Sequence, residues 1–495
     1  MVLACLLLIL SSAIYWFLTK THKTWEKQNV PTMPNPIPGF GHMLPAFLLK
    51  ENLSTLTHRI YKECDASIVG FYFLRTPGIV VRDPELVKCV LKTNFLNFQN
   101  NSLTVTEKDP VLSKNPFFTT NYHLWQEGRA RTMSHLSGKK LRVLFEIAQN
   151  VCFKMNDFID QKLQRNGGIY ECELKDHFIR FTGEMVANAA FAVDGRSFED
   201  TLDPSSFSSI TRSIFKPSVI NGIKEALLFY VPNLGHFLNL SFLQKHTEKY
   251  FRETLKAILK VRKQSDKKHL DYLQFVLDDN SENDIENIIA DLIIFHADVY
   301  ETTSTTLAIL FYHLSQNKEI QSKLREQISS LGEITYESLK SLTYLDQIIF
   351  EAMRKTPPLG VQTKLCTKEI TIKGSDGIVC HVKPGDHVYI PTVGLHNDAK
   401  YWKDPKNFDP DRFSTENRAN RHKFVFLPFG EGPRMCIGMR LGIILTKLCA
   451  ASILSKFSIN HSSKTITPLE FEGSTFLTHF RGGFWGCFEK ILKST

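Results

Sequence analysis

A chain of 495 residues, 43% hydrophobic and 22% charged, carries ample apolar material for a large core, which excludes a disordered or fibrous chain. The formal net charge is +9 and the sequence pI ≈ 8.9, yet Lys and Arg are scattered, with no basic run and no nucleic-acid motif. Such a surface suits an acidic protein partner or an anionic membrane, and nucleic acid is not an expected partner.

Residues 1–18 (MVLACLLLILSSAIYWFL) are almost wholly apolar or small, and Lys20, Lys23 and Lys27 follow. That length is at the short end for a membrane span. Positive charge behind the apolar run places the following chain in the cytosol by the positive-inside rule. A cleaved signal peptide is the alternative, but its basic leading region and a clear cleavage site are missing. We therefore expect a transmembrane signal anchor over 1–19. A basic, proline-rich hinge follows over 20–40, where Pro31, Pro34, Pro36 and Pro38 make a stiff extended spacer. No later linker divides the chain, so 41–495 reads as one large domain, although length alone suggests about three.

Within that body, β-like stretches lie at 68–74, 78–81, 369–373 and 387–390. Apolar spacing predicts helices over 243–264, 283–314 and 316–331. The fold class is mainly α with small β-sheets near both ends. The 37 Phe suit a ligand pocket, and equally a Phe-rich core. Cys5, Cys64, Cys89, Cys152, Cys172, Cys366, Cys380, Cys436, Cys449 and Cys487 form no C-x-x-C pair and no zinc spacing, so most read as reduced, buried thiols.

Several constellations carry chemistry. Trp125 and Arg129 stand one helical turn apart, with Lys139, Lys140 and Arg142 close behind; with Lys423 these form either a basic docking face or a solvated patch. Asp298-Val299-Tyr300-Glu301-Thr302-Thr303 sets an acid and a hydroxyl inside an apolar helix. Polar groups there should face a cavity or each other. The alternative is an exposed Glu beside a Thr that bonds back to its own helix. Glu351 and Arg354 share a face of a helix running from about residue 341, a spacing also found in ordinary surface ion pairs. Finally, Phe429-Gly430-Glu431-Gly432-Pro433-Arg434-Met435-Cys436-Ile437-Gly438 surrounds one thiol with glycines and places an arginine two residues before it. Glycine allows close backbone approach, and a helix start favours negative charge on the sulfur.

That last segment resembles the haem-binding loop of cytochromes P450: Phe, two residues, Gly, one, Arg, one, Cys, one, Gly. The resemblance implies a cytochrome P450 fold, a single large haem-binding domain behind an N-terminal anchor. It also implies haem b (iron protoporphyrin IX), with Cys436 as axial ligand of the iron. Phe429 and Gly438 complete the loop, and Arg434, Trp125 and Arg129 take places near a haem propionate. Glu301 and Thr302 match the acid–Thr pair that delivers protons. Glu351, Arg354 and Arg412, the last from Pro410-Asp411-Arg412-Phe413, match a structural triad behind the loop.

The chain departs from the family at two places. Asp298 and Val299 stand where Ala or Gly and then Gly are usual, and Ala297 is small but one residue early. Lys364 replaces an arginine that partners a propionate, giving a point charge for a fork. By position in the family pattern, Phe117, Phe118, Asp298, Val299, Pro358, Leu359 and Phe476 line the substrate pocket.

Residues 408–442 look like microsomal P450s of arthropods, closest in style to insect family 6 and the clan that includes vertebrate family 3. The implied activity is a haem-thiolate monooxygenase acting on lipophilic small molecules, xenobiotics among them. Electrons would come from NADPH through the flavoprotein NADPH–cytochrome P450 reductase, with cytochrome b5 as a further candidate donor. The implied location is the endoplasmic reticulum membrane, with the catalytic domain in the cytosol. Two alternatives stand beside it: a haem-thiolate isomerase or dehydratase acting on peroxides, and a non-catalytic haem- or ligand-binding protein.

Overall fold

The structure is a computed structural model, and it describes residues 1–491 other than 108, 202, 217, 265–267, 280–283 and 474–476. Its first helix, α1 (Val2–Thr19), carries no charged side chain, and none of its residues is buried. With a mean hydropathy of 2.2, it is long and apolar enough to cross a membrane, and it is no core helix.

The proline-rich segment does not stand as a free spacer. Strand β1 (Ile68–Phe73) pairs antiparallel with β2 (Thr76–Val81). Its Gly70 exchanges hydrogen bonds with the incoming chain: the Gly70 amide donates to the Pro31 carbonyl at 2.7 Å, and the Met33 amide to the Gly70 carbonyl at 2.9 Å. The Trp25 ring is wholly buried, and its indole N–H donates to the Phe71 carbonyl at 3.1 Å. Gly70 admits that ring, since a Cβ there would lie 2.5 Å from it. Alternating prolines suit a free spacer and an edge-paired segment alike. The buried indole decides for the second.

Among the described residues, three small sheets flank the helical body. Besides β1 and β2 the strands are β3 (Ile169–Glu173), β4 (Gln362–Leu365), β5 (Ile370–Lys373), β6 (Val379–Val382), β7 (His387–Ile390), β8 (Phe457–His461) and β9 (Trp485–Lys490). The largest sheet runs β1-β2-β7-β4, with β2 and β7 parallel and the other pairs antiparallel. The others are β3-β9-β8 and β5-β6. Pairing β4 with β7 brings Lys364 opposite Val388 and fixes its height in the fold.

The helices that position the site are α2 (Tyr122–His135), α3 (Gly138–Arg165), α4 (Leu174–Ala190), α5 (Ile285–Gln316), α6 (Thr343–Lys355) and α7 (Met439–Leu454). Helix α5 is buried on nearly every face, which is why its sequence shows apolar residues all round rather than one stripe. It runs unbroken through residues 298–302. Helix α4 packs along it, and Thr182 of α4 donates its hydroxyl to the Tyr300 carbonyl at 3.0 Å. Predicted helices 243–264 and 316–331 are observed as Lys245–Lys263 and Lys318–Ser330.

Truncating Trp25 should therefore destabilise the body. Trp25→Ala is expected to cost about 3–5 kcal/mol in urea unfolding of detergent-solubilised protein. Trp16→Ala, on the exposed face of α1, should leave the midpoint unchanged. Equal effects of the two changes would contradict the docked segment.

Candidate active site

Every residue expected to contact a cofactor or a substrate, other than Phe476, lines one internal cavity of ≈ 420 Å³. Phe476 lies outside the described residues. Cys436 and its loop form one wall, and Asp298, Val299 and Thr302 of α5 form another. Phe117, Phe118, Pro358 and Leu359 supply apolar surface. Phe118 stacks on Phe229 with ring centroids 5.2 Å apart.

The Cys loop is built by backbone. Gly430 and Gly432 adopt φ of +70° and +80°. A Cβ at Gly432 would sit 1.9 Å from the Leu91 carbonyl oxygen, so only glycine fits. The Cys436 amide donates to the Phe429 carbonyl at 2.8 Å, which closes the turn. Gly438 then caps α7, and the amides of Gly438 and Met439 donate to the Cys436 sulfur. Cys436 is exposed and lines the cavity. Burial pushes it up to about 11, and the Asp298 carboxyl adds to this; the two amides and Arg129 oppose them. A metal ion would supply what the protein alone does not, displacing the thiol proton and binding the thiolate.

The cations around the cavity divide by their partners. Arg434 donates to the carbonyls of Gln99, Pro116 (2.7 Å) and Thr119 (3.2 Å) and to the Asn100 side chain (3.4 Å), and lies over the Trp125 ring at 4.7 Å. Most of its five N–H groups are thus committed to the segment 99–119. Arg129 reaches the Met435 carbonyl at 2.8 Å. Lys364 is buried, with the Asn101 amide oxygen at 2.8 Å and no carboxylate partner among the described residues. Burial, aided by Arg434, pulls it down to about 7. A buried amine without a counter-charge favours an anion in the adjoining space. One soft sulfur donor in one wall, with Lys364 and Arg129 beside it, fits a flat iron porphyrin with anionic propionates.

On the α5 side, the acid and the hydroxyl behave differently. Thr302 faces the cavity and donates its hydroxyl back to the Asp298 carbonyl at 2.5 Å. Glu301 is buried, with one carboxylate oxygen against the Lys175 ammonium and His479 Nε2, the latter at 2.9 Å. Burial acts to raise this carboxyl, but Lys175 and His479 outweigh it and hold it at about 2. Lys175 comes from the first turn of α4 and His479 from the loop before β9. The sequence offers no local sign of either, since they lie 126 and 178 residues from Glu301. Asp298 points its carboxyl into the cavity, near only the Asn115 amide at 3.4 Å, and burial raises it to about 7.

Behind the Cys loop, Glu351 and Arg354 are fully buried on α6 and joined by two bonds of 2.7 and 2.8 Å. Arg412 approaches the same carboxylate at 3.4 Å, and the Asp409 amide donates to it at 2.9 Å. Arg354 also donates to the carbonyls of His396 and Pro405, both at 2.9 Å. Backbone groups fill the remaining donors, which is what lets buried charge persist. The expected basic face is partly neutralised: Arg142 pairs with Glu337, and Lys423 with Glu431 at 3.1 Å.

The family model for cytochrome P450 matches residues 31–485. The chain is 27% identical over 493 residues to cytochrome P450 6k1 of Blattella germanica, covering 94% of this chain and 92% of that protein. It is 30% identical over 497 residues to probable cytochrome P450 28a5 of Drosophila melanogaster, covering 97% of each. A further similar protein is cytochrome P450 9e2 of Blattella germanica, 28% identical over 508 residues, with 94% of each chain covered.

Two substitutions test this geometry. Arg354→Ala strands a buried carboxylate and should cost about 3–5 kcal/mol. Arg142→Ala, in an exposed pair, should cost less than about 1 kcal/mol. Similar losses in denaturant midpoint would deny the buried network its role. For Glu301, the folded carboxyl sits below its ordinary 4.5. Its stabilisation is therefore present above that pH and lost as pH falls toward 2. Glu301→Gln should be less stable than the parent at neutral pH, with the gap narrowing on acidification. A gap independent of pH would contradict the ionised carboxylate.

Proposed function

The chain belongs to the cytochrome P450 family, and from that membership we propose a membrane-anchored monooxygenase that inserts one oxygen atom from O2 into lipophilic small molecules. The observation that carries this reading is the Cys436 sulfur, held by two amides at the start of α7 and lining the cavity. A haem bound through that sulfur supplies O2 activation and O–O cleavage. The protein supplies binding, orientation and exclusion of water. Cys436 would hold the iron, and Arg129 and Lys364 would meet the propionates. Phe117, Phe118, Val299, Pro358 and Leu359 form a dry wall for an apolar substrate. Thr302 is the hydroxyl placed to pass a proton: its oxygen keeps lone pairs toward the cavity while its hydrogen rests on the Asp298 carbonyl. Glu301 stays ionised under Lys175 and His479 and holds the wall next to Thr302.

Electrons reach the site from NADPH through a reductase in the same membrane, with cytochrome b5 as a second donor. Helix α1 anchors the chain in the endoplasmic reticulum membrane, and Lys20, Lys23 and Lys27 keep the body in the cytosol. The docked hinge draws that body close to the bilayer. The Arg75 guanidinium stacks over the Phe17 ring of α1 at 3.5 Å, and Thr21 donates to the Arg75 carbonyl at 2.6 Å. Similarity to insect P450s and a largely apolar cavity support xenobiotics as substrates.

The test is NADPH-dependent turnover with added reductase under isotopically labelled O2. One labelled oxygen atom should appear in the product of a lipophilic substrate. No oxygen uptake, alongside turnover of a lipid hydroperoxide, would replace this reading with an isomerase, for which Asp298 and Val299 speak. Thr302→Ala should keep consuming NADPH but yield more peroxide and less product. Unchanged product yield would remove Thr302 from proton transfer.

A further inference from the structure

The cavity contains a carboxyl that no cation among the described residues neutralises. Four acidic side chains line it. Asp291 is paired with Arg131 at 3.1 Å, Glu301 with Lys175 and His479, and Glu225 lies beside Lys224. Asp298 meets only the Asn115 amide, at a distance where a hydrogen bond is weak.

The orientation of Asn115 fixes what Asp298 can accept. The Asn115 side-chain oxygen already takes the Phe117 amide at 2.8 Å, so its NH2 group is the end turned to Asp298. That NH2 occupies Oδ1 as a donor. The carboxyl is therefore set up as an acceptor, and Oδ2 has no hydrogen bond among the described residues. A ligand completing this site must bring a donor, and a positive charge as well if it is to offset the burial of an anion. The cavity cations do not fill the role. Among the described residues, Arg131 pairs with Asp291, Lys114 with the Asn287 side chain and Arg434 with carbonyls of the segment 99–119, while Arg129 and Lys364 have the partners described above and would serve the anionic edge of a bound cofactor. The surrounding surface is aromatic and aliphatic, which accommodates the body of a lipophile.

We infer that Asp298 selects lipophilic amines, taking the protonated nitrogen of the substrate as its ion-pair partner. This rests on the cavity being the substrate pocket of the proposed oxygenase. It adds to that reading a substrate class and a specificity-determining residue, at a position where the family usually has no side chain to offer. Asn115 is its positioning residue, holding the carboxyl so that one oxygen stays free.

The experiment is equilibrium dialysis with full-length, haem-loaded protein and two radiolabelled ligands. One is a hindered tertiary amine, N,N-diisopropylphenethylamine, whose bulk disfavours direct binding to iron. The other is the hydrocarbon in which CH replaces its nitrogen. Wild type should bind the amine about tenfold more tightly than the hydrocarbon, the scale of a charge-assisted hydrogen bond. Asp298→Asn should erase that preference while retaining hydrocarbon binding, which also verifies that the variant is folded. Asp298→Glu should restore part of it. No preference in wild type, or a preference that survives in Asp298→Asn, overturns the inference. The parent reading fails separately. Oxygenation of neutral lipophiles without amine preference discards the anchor alone, whereas amine preference without any oxygenation discards the oxygenase and leaves the anchor.

Discussion

A single sulfur atom, presented to a cavity by the start of a buried helix, is the constraint on which the structure depends. The Cys436 thiol faces inward, where burial opposes ionisation, and only the Gly438 and Met439 amides and Arg129 favour the thiolate. Those amides are in place because the loop turns twice through left-handed glycines, one of them in contact with the Leu91 carbonyl. The Glu351, Arg354 and Arg412 charges run their hydrogen bonds into the segment 396–409, and His396 of that segment accepts the Leu427 amide just before the loop. Buried charge of this kind contributes little net stability by itself. Its value here is positional: it pins irregular backbone that lacks regular secondary structure to hold it.

The opposite wall is governed by how each polar group on α5 is satisfied. Glu301 is balanced by two basic partners, Thr302 by its own helix, and Asp298 by nothing of opposite charge among the described residues. These three states suit three roles: a fixed structural anion, a hydroxyl able to exchange its hydrogen bond, and a carboxyl available to a ligand. Val299 does not break or bulge the helix. It narrows the cavity with apolar volume where the family usually leaves space, and α5 continues as regular α-helix past it.

Much of the site was legible because its parts are local in sequence. The Cys loop, the i,i+3 pair Glu351–Arg354 and the run 298–303 each state their geometry within about a helical turn or a single loop. The family pattern supplied Trp125, Arg129, Lys364 and the pocket residues, and the cavity gathers all of these except Phe476, which is not described. The partners that set the chemistry were not legible. Lys175, His479, Asn115 and Asn101 come from distant segments and carry no pattern of their own. Strand β4 was also hidden, since four residues with a buried middle do not alternate. The docking of the proline segment was not legible either, because an extended conformation serves a free tether and a docked edge equally well.

The central claim is that Cys436 holds an iron through sulfur inside this cavity. Iron-edge X-ray absorption on the purified, haem-loaded protein addresses it most directly. One sulfur scatterer is expected in the iron's first coordination shell, and none in haem-loaded Cys436→Ala. A first shell of nitrogen and oxygen alone in the wild-type protein would contradict it.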